Sequence, residues 1–319
     1  MNGLPVSPAH ALAAQAEERR WLVEGLWSEE AVGIVGGEPK CCKSFLALDV
    51  AVAVATGAPC LRRFAIPRRG RTLLFAAEDA LHVVRRRLEG ICAAAGMPFD
   101  ATLDLQVITA DTLRLDLPED RRRLHETVEA LRPRLLVLDP FVRLHRKDEN
   151  VAGDVAPLLA FLRELQRRFS MSVLLVHHAR KGGAGLRAGQ ALRGSSELHA
   201  WGDSNLYLRR VGTELHLSVE HRAAPAPADL RLELREGVGL ALHVVGTASA
   251  SAEAAAATRV DAHEARLLTA LAEAHGPLSA RALRDACRMK TTHVGAALSA
   301  LVDDGRITHG PDGYSLVGS

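Results

Sequence analysis

The chain has 319 residues, of which 48% are hydrophobic and 24% charged, the balance of an ordinary globular protein with one large domain or two smaller ones. Its net charge of +2 excludes a strongly basic protein, and its five scattered cysteines form no CxxC pair, which argues against a zinc site or a disulfide framework. The N-terminus lacks a signal-peptide pattern and the longest apolar run, 45–55, is too short to span a bilayer, so we expect a cytoplasmic protein without membrane contact.

Apolar runs alternate with stretches of helical periodicity along the first half of the chain. A lead-in at 1–29 is expected to be helical or irregular. The strands predicted after it are 31–35, 72–77, 105–109, 134–139 and 172–177, and the helices are 44–55, 81–95, 119–131 and 155–169. Strands separated by helices of this length pair in parallel through right-handed crossovers. We therefore predict a doubly wound α/β sheet whose ligand lies beyond the carboxyl ends of the strands.

The pattern changes after residue 200 to short strands and turns, which predict an antiparallel extension of the same sheet and complete an α/β domain at 30–245. An Ala-rich stretch, 246–260, is interpreted as a linker. The remaining segment, 261–319, is predicted to form three helices and a hairpin, the pattern of a small winged-helix domain. The strands predicted in the extension are 205–209, 214–220, 230–235 and 240–245.

The segment Gly37–Ser44 follows a predicted strand and opens a predicted helix, and it matches the phosphate-binding pattern G-x-x-x-x-G-K-[ST] at three of its four fixed places. Backbone N–H groups at a helix N-terminus cradle phosphate oxygens, so we expect ATP here, with Lys43 on the β- and γ-phosphates and Ser44 on Mg²⁺. Cys42 replaces a glycine whose missing Cβ lets the backbone approach phosphate. An ordinary strand–turn–helix with a surface lysine is the alternative. The predicted nucleotide-binding residues of this segment are Gly37, Glu38, Pro39, Lys40, Cys41, Cys42, Lys43, Ser44 and Phe45.

Carboxylates end two of the predicted strands. Asp139 is suited to hold the Mg²⁺ shell, with capping of the next segment as the alternative. Its distance from Lys43 along the chain favours neighbouring strands for the two residues. Glu78 is the predicted base that activates the attacking water, whereas Asp79 is equally suited to cap the following helix.

Two histidines close the fifth predicted strand, and a glycine-rich basic segment, 179–195, follows. His177 or His178 is suited to sense the γ-phosphate through a hydrogen bond; a zinc ligand or a hydrogen-bonded strand-end histidine is the alternative. In the basic segment, the residues predicted to track a nucleic-acid backbone are Arg180, Lys181 and Arg187, and an ordinary surface loop is the competing interpretation.

Five motifs occur in the order GEPKCCKSFLALDVAVAVATG, LLFAAED, LLVLDPFVRLH, VLLVHHARK and ALRGSSELHAWGDSNLYL. In order and spacing they resemble RecA-like ATPases of the RepA/DnaB-type hexameric replicative helicase superfamily, over roughly residues 25–220. The resemblance implies that Lys43 and Ser44 form the P-loop pair, that Glu78 is the catalytic glutamate and that Asp139 is the Walker B aspartate. It also implies that His177 or His178 is the γ-phosphate sensor, that Arg85 or Arg86 lies near the adenine, and that a neighbouring subunit supplies an arginine finger. The candidates for that finger are Arg193, Arg209 and Arg210.

The resemblance further implies a homo-oligomer, a hexamer in that superfamily, that moves along single-stranded DNA as it hydrolyses ATP. A RecA-like regulatory ATPase is the alternative; its winged helix would dock on duplex DNA or a partner protein. A third possibility is a non-catalytic nucleotide-binding module. Cys42 keeps it open, and the presence of Glu78 and Asp139 argues against it.

Overall fold

The computed structural model of the chain contains two units, Met1–Thr247 and Ala248–Ser319. Each unit has a hydrophobic core of its own. No helix among the described residues is long and apolar enough to cross a membrane. The structure describes residues 6–11, 20–149, 151–178, 196–211, 213–247, 264–274, 276–287, 289, 294–295, 297–298, 301–302, 306–310 and 313–316.

The first unit alternates strands and helices before it ends in consecutive strands. The strands are β1 (Trp21–Val23), β2 (Trp27–Ser28), β3 (Val32–Gly37), β4 (Thr72–Ala76), β5 (Leu105–Val107), β6 (Leu135–Asp139), β7 (Ser172–His178), β8 (Ser204–Val211), β9 (Glu214–His221), β10 (Leu230–Glu236) and β11 (Leu240–Thr247). The helices are α1 (Lys43–Thr56), α2 (Leu81–Ala94), α3 (Pro118–Leu131), α4 (Ala152–Phe169) and α5 (Ser196–Trp201), and Phe141–Arg143 forms a short 3-10 turn.

Nine of these strands form one sheet in the order β11-β10-β9-β8-β3-β7-β6-β4-β5. The strands from β8 to β5 in this order pair in parallel. From β8 through β11 the neighbouring strands pair antiparallel. The predicted α/β sheet, mostly parallel with an antiparallel extension, is therefore confirmed.

Both faces of the parallel part are covered by helices, which explains why its strands are continuously apolar. Successive side chains of a strand point to opposite faces, so Leu174 and Val176 of β7 pack in the core on the α1 side. Val173 and Leu175 pack in the core on the α4 side. Every strand end in this layer is consequently fixed from two sides, and residues just beyond the ends are held at one edge of the sheet.

The expectation that β3 and β6 are neighbours is wrong. β7 lies between them, pairing Val35 with Val176 on one side and Leu138 with Leu175 on the other. The number of residues between β3 and β6 shows only that their connection is long enough to cross the sheet. It does not show which strand lies between them. β7 fills it because its first six residues are buried on both faces. The histidines at its end therefore lie between the loop after β3 and the aspartate that ends β6.

The end of the lead-in is a small hairpin rather than a helix or an irregular segment. β1 and β2 pair antiparallel, and Trp27 is fully buried with Leu22 and Leu26 in the core on the α1 side. Burial of these large side chains stabilises a two-stranded hairpin that would be marginal alone. At the other end of the unit, β11 continues to Thr247, so the first two residues of the predicted linker 246–260 belong to a strand.

The second unit packs helices and a hairpin around a small core. Residues 264–273 form helix α6, Ala280–Cys287 form helix α7, and the described residues between 294 and 302 are helical. β12 (Ile307–Gly310) and β13 (Gly313–Leu316) pair antiparallel. Leu267, Leu283 and Leu301 are fully buried at its centre. Much of the segment between α7 and β12 lies outside the described residues, so the winged-helix domain at 261–319 stays a prediction.

Candidate functional site

A cavity of about 320 Å³ opens at the carboxyl ends of the parallel strands, where the topology predicts a ligand. It brings together the ends of β4, β6 and β7 and the loop between β3 and α1. The described residues that line it are Lys40, Cys41, Cys42, Lys43, Ser44, Phe45, Ala76, Glu78, Asp79, Arg87, Asp139, Val176 and His178. The predicted loop residues 40–45 and the predicted Glu78, Asp139 and His178 therefore share one cavity.

The loop before α1 requires unusual backbone conformations. A Cβ at Gly37 would lie 2.2 Å from the carbonyl oxygen of Leu208, so only glycine fits. Lys40 and Cys42 both have φ of 63°, in the left-handed region that L-residues with a Cβ disfavour. Cys42 thus replaces the glycine of the phosphate-binding pattern at a position where φ is positive. The positive φ favours glycine at this position for a second reason, besides the close approach of a phosphate. The cavity is not lined by three of the predicted nucleotide-binding residues of this loop, namely Gly37, Glu38 and Pro39.

α1 begins at Lys43, and no side chain of the described residues caps its N-terminus. The N–H groups of a first helical turn have no partners within the helix and carry partial positive charge. Here they face a cavity that is also lined by the cations Lys40, Lys43 and Arg87. This end of the cavity is therefore suited to bind an anion such as a phosphate group.

Lys43 is held against its own loop. It is only 5% exposed, and its Nζ donates a hydrogen bond of 2.6 Å to the carbonyl oxygen of Glu38. The Sγ of Cys41 lies 3.9 Å from the same nitrogen. Burial lowers the pKa of Lys43, while Cys41, Asp139 and Glu78 act in the opposite direction. A phosphate in the cavity would offer this buried ammonium a stronger, charged acceptor than a carbonyl oxygen.

Asp139 and Ser44 form the part of the cavity suited to a divalent cation. Asp139 is 8% exposed, and burial raises its pKa to about 6. The hydrogen bond from Ser44 opposes this shift, and the neighbouring carboxylates of Asp79 and Glu78 reinforce it. A carboxylate that accepts a hydrogen bond from a hydroxyl places two hard oxygen donors, the kind that Mg²⁺ prefers, side by side. The residues present therefore fit Mg²⁺ held by Ser44 and Asp139.

Glu78 and Asp79 leave β4 in different directions. Glu78 is exposed and accepts a hydrogen bond of 2.9 Å from Nε of Arg143, in the turn after β6. Asp79 pairs with Arg87. The N-cap of α2 is Ala80, so the alternative interpretation of Asp79 as a cap is wrong. Both carboxylates therefore have an arginine partner, and Glu78 is the more exposed of the two.

The two histidines of β7 face opposite sides of the strand. His178 lines the cavity, and burial followed by the charge of Lys43 lowers its pKa. His177 is buried and 1% exposed. A neutral imidazole beside the phosphate end of the cavity can donate or accept a hydrogen bond. Within the described part of the chain, no group of three His, Cys, Asp or Glu side chains could hold a metal ion, which leaves the zinc interpretation without support there.

Arg87, which the sequence prediction missed, is the arginine of α2 that lines the cavity. Arg86 is exposed on α2, whereas Arg87 lines the cavity with its guanidinium 5.2 Å from the centre of the Phe45 ring. The sequence allows this position to be predicted, because Arg87 lies three residues after the buried Val84 and therefore on the same face of the helix. The flat guanidinium and the ring form a surface suited to the planar part of a nucleotide.

The candidates for the arginine finger differ in their surroundings. Arg209 pairs with Asp229 at 3.0 Å. Arg210 points to the opposite face of β8 and lies close enough to the loop to act on Cys42, whose pKa is raised by burial and lowered in part by this cation. Four predicted residues lie outside the described residues, namely the finger candidate Arg193 and the nucleic-acid candidates Arg180, Lys181 and Arg187.

A comparison with protein families agrees with this geometry. A family model described as an AAA domain (AAA_25) matches residues 3–184. The match contains the phosphate-binding loop, both strand-end carboxylates and the two histidines, and it spans more than half of the chain. Such a domain binds a nucleoside triphosphate, typically with Mg²⁺. The chain belongs to this AAA domain family of RecA-like P-loop ATPases.

Proposed function

We propose that this P-loop ATPase is a DNA-dependent motor of the replicative-helicase type that works as a homo-oligomeric ring. The observation that carries the proposal is the convergence of Lys43, Ser44, Glu78, Asp139 and His178 on one cavity at the strand ends. Four of them are the side-chain types that P-loop ATPases use in hydrolysis: a lysine for the phosphates, a hydroxyl and an aspartate for Mg²⁺, and a carboxylate for the water. Order and spacing of the motifs support the comparison with RepA/DnaB-type helicases.

Each side chain has a separate task in hydrolysis. The first turn of α1 and Lys43 bind the phosphates, and Lys43 exchanges its carbonyl partner for a phosphate oxygen. Ser44 and Asp139 hold Mg²⁺, which when bound neutralises charge on the phosphate oxygens. Glu78 orients the attacking water and accepts its proton. His178, at the end of β7, hydrogen-bonds to the γ-phosphate and senses its presence.

Basic residues are the part of the chain on which the proposed ring and its binding to single-stranded DNA depend. A neighbouring subunit would bring Arg193, Arg209 or Arg210 to the γ-phosphate, where a guanidinium stabilises charge that develops during phosphoryl transfer. Segment 179–195 begins directly after His178 and is rich in glycine and basic residues. A basic segment attached to the γ-phosphate sensor is well placed in the chain to link nucleotide state to single-stranded DNA.

A regulatory ATPase is the second candidate, and the separate core of the second unit favours it. A unit with a core of its own supplies a separate surface for docking on another molecule. In this version ATP controls assembly, and the predicted winged helix at 261–319 binds duplex DNA or a partner protein.

The decisive experiment measures ATP hydrolysis with and without single-stranded DNA at low and at high salt, beside the particle mass with and without ATP. The motor predicts DNA stimulation that weakens as salt rises, together with a ring-sized particle. Hydrolysis without stimulation at low salt would contradict the motor and favour the regulatory ATPase. Lys43→Ala should abolish hydrolysis, whereas Lys147→Ala, which removes an exposed lysine, should not.

A further inference from the structure

A carboxylate and two imidazoles lie together behind the cavity. Glu149 follows the turn after β6, and its Oε1 lies 3.6 Å from Nε2 of His145 and 3.9 Å from Nδ1 of His177. Both imidazoles are 1% exposed, and the Glu149 side chain is 15% exposed. The fully buried ring of Phe141 closes the group, with its centre 4.6 Å from the ring centre of His145 and 6.3 Å from that of His177.

The charge of Glu149 is maintained by the histidines around it. Burial acts to raise its pKa, but the interactions with His145, His177 and His178 outweigh burial, so the pKa lies below its usual range. The distances of 3.6 and 3.9 Å exceed that of a tight hydrogen bond, so the attraction is electrostatic and not a short directed hydrogen bond. The ionised carboxylate of Glu149 is thus largely buried next to β7, the strand whose last residue lines the nucleotide cavity.

This group is connected to the cavity through β7. His177 and His178 are adjacent on that strand and point to opposite faces, one toward Glu149 and one into the cavity. A carboxylate that attracts the ring of His177 therefore acts on the end of β7, one residue before the residue that lines the cavity. Glu149 itself does not line the cavity.

We propose that Glu149 is a positioning residue for ATP hydrolysis, which acts through His177 to hold His178 in register with the γ-phosphate. The inference rests on the proposed function of the cavity and extends it to a residue outside the cavity. Because the restraint matters for alignment during the reaction and not for binding of the phosphates by α1, its loss should lower kcat and leave KM for ATP nearly unchanged.

The test is a double-mutant cycle in the full chain. Glu149→Gln should lower kcat about tenfold with KM within about twofold of the parent, Glu149→Asp should restore part of the loss, and the exposed Glu164→Gln should have no effect. In the background of His178→Ala, Glu149→Gln should cost nothing further, because the residue through which it acts is gone. Independent, additive losses in the cycle would contradict positioning and indicate a general structural role.

A second measurement keeps the inference testable if Glu149→Gln does not fold. In the unsubstituted protein, nitrogen NMR of the histidine rings should show a proton on Nδ1 of His177, the atom that faces Glu149. A proton on Nε2 alone would overturn the proposal. If the unsubstituted chain does not hydrolyse ATP, the proposed function fails; if it does and Glu149→Gln matches it, only the positioning role fails.

Discussion

Arg143 donates a hydrogen bond from Nε to Oε1 of Glu78 at 2.9 Å, and this ion pair joins the turn after β6 to the end of β4. Its guanidinium side chain is 62% exposed, so the contact is available to competing anions. In the proposed mechanism Glu78 orients the attacking water, and a guanidinium that binds its carboxylate draws it away from that water. We therefore expect the pair to restrain Glu78 in the nucleotide-free protein.

Removing this restraint should speed turnover. We expect Arg143→Ala to raise kcat in the absence of DNA by about two- to fivefold without changing KM, because an exposed ion pair is worth at most about 1 kcal/mol. Arg143→Lys should lie between the two proteins. Arg146→Ala, which removes an exposed arginine of the same segment, is the control. A fall in kcat would mean that Arg143 aligns the base rather than restrains it.

Glu78→Gln should separate binding from chemistry. The amide keeps the size of the side chain but cannot accept the proton of water, so we expect turnover to fall by at least about 100-fold. Binding of a fluorescent ATP analogue should be unchanged. The matched control is Glu89→Gln, which removes a carboxylate of α2 that pairs with Arg85. Loss of nucleotide binding in Glu78→Gln would instead identify Glu78 as structural.

Cys42 should tolerate glycine and reject a branched side chain. Its left-handed φ of 63° costs a residue with a Cβ about 1–2 kcal/mol, which offsets the roughly 0.5–1 kcal/mol that glycine loses in conformational entropy. Cys42→Gly should keep the free energy of unfolding within about 1 kcal/mol and tighten ATP binding about threefold. Cys42→Val should lose about 1–2 kcal/mol of stability. Urea unfolding and ATP titration decide this, and equal stability of the two variants would contradict the strain.

Asp139 should make the nucleotide-free protein less stable as pH rises. Its pKa is about 6 in the fold against 3.8 as a free side chain, so the fold favours the protonated form. That contribution is complete below about pH 4 and is lost as pH rises through about 6, for a total of about 3 kcal/mol. Asp139→Asn should therefore exceed the parent in unfolding free energy at about pH 8 and match it at about pH 4.

Mg²⁺ and ATP should reverse this order. At about pH 8 they should raise the melting temperature of the parent more than that of Asp139→Asn, because the ionised carboxylate then has a cation partner. The same ligands should stabilise the parent less at about pH 5, where Asp139 is largely protonated. Thermal unfolding measures both effects. A pH-independent difference between the two proteins would show that Asp139 does not titrate near 6.

Local pattern by itself determined the parts of this protein. The phosphate-binding loop, the alternation of strands and helices, and the carboxylates Glu78 and Asp139 are visible in sequence because side-chain periodicity and loop chemistry act over a few residues. The tertiary structure decided which parts meet. In the sheet β7 lies between β3 and β6, so that His178 lines the cavity and His177 faces Glu149. Strand order follows from packing two helical layers on one sheet, a long-range balance that no short stretch of sequence contains.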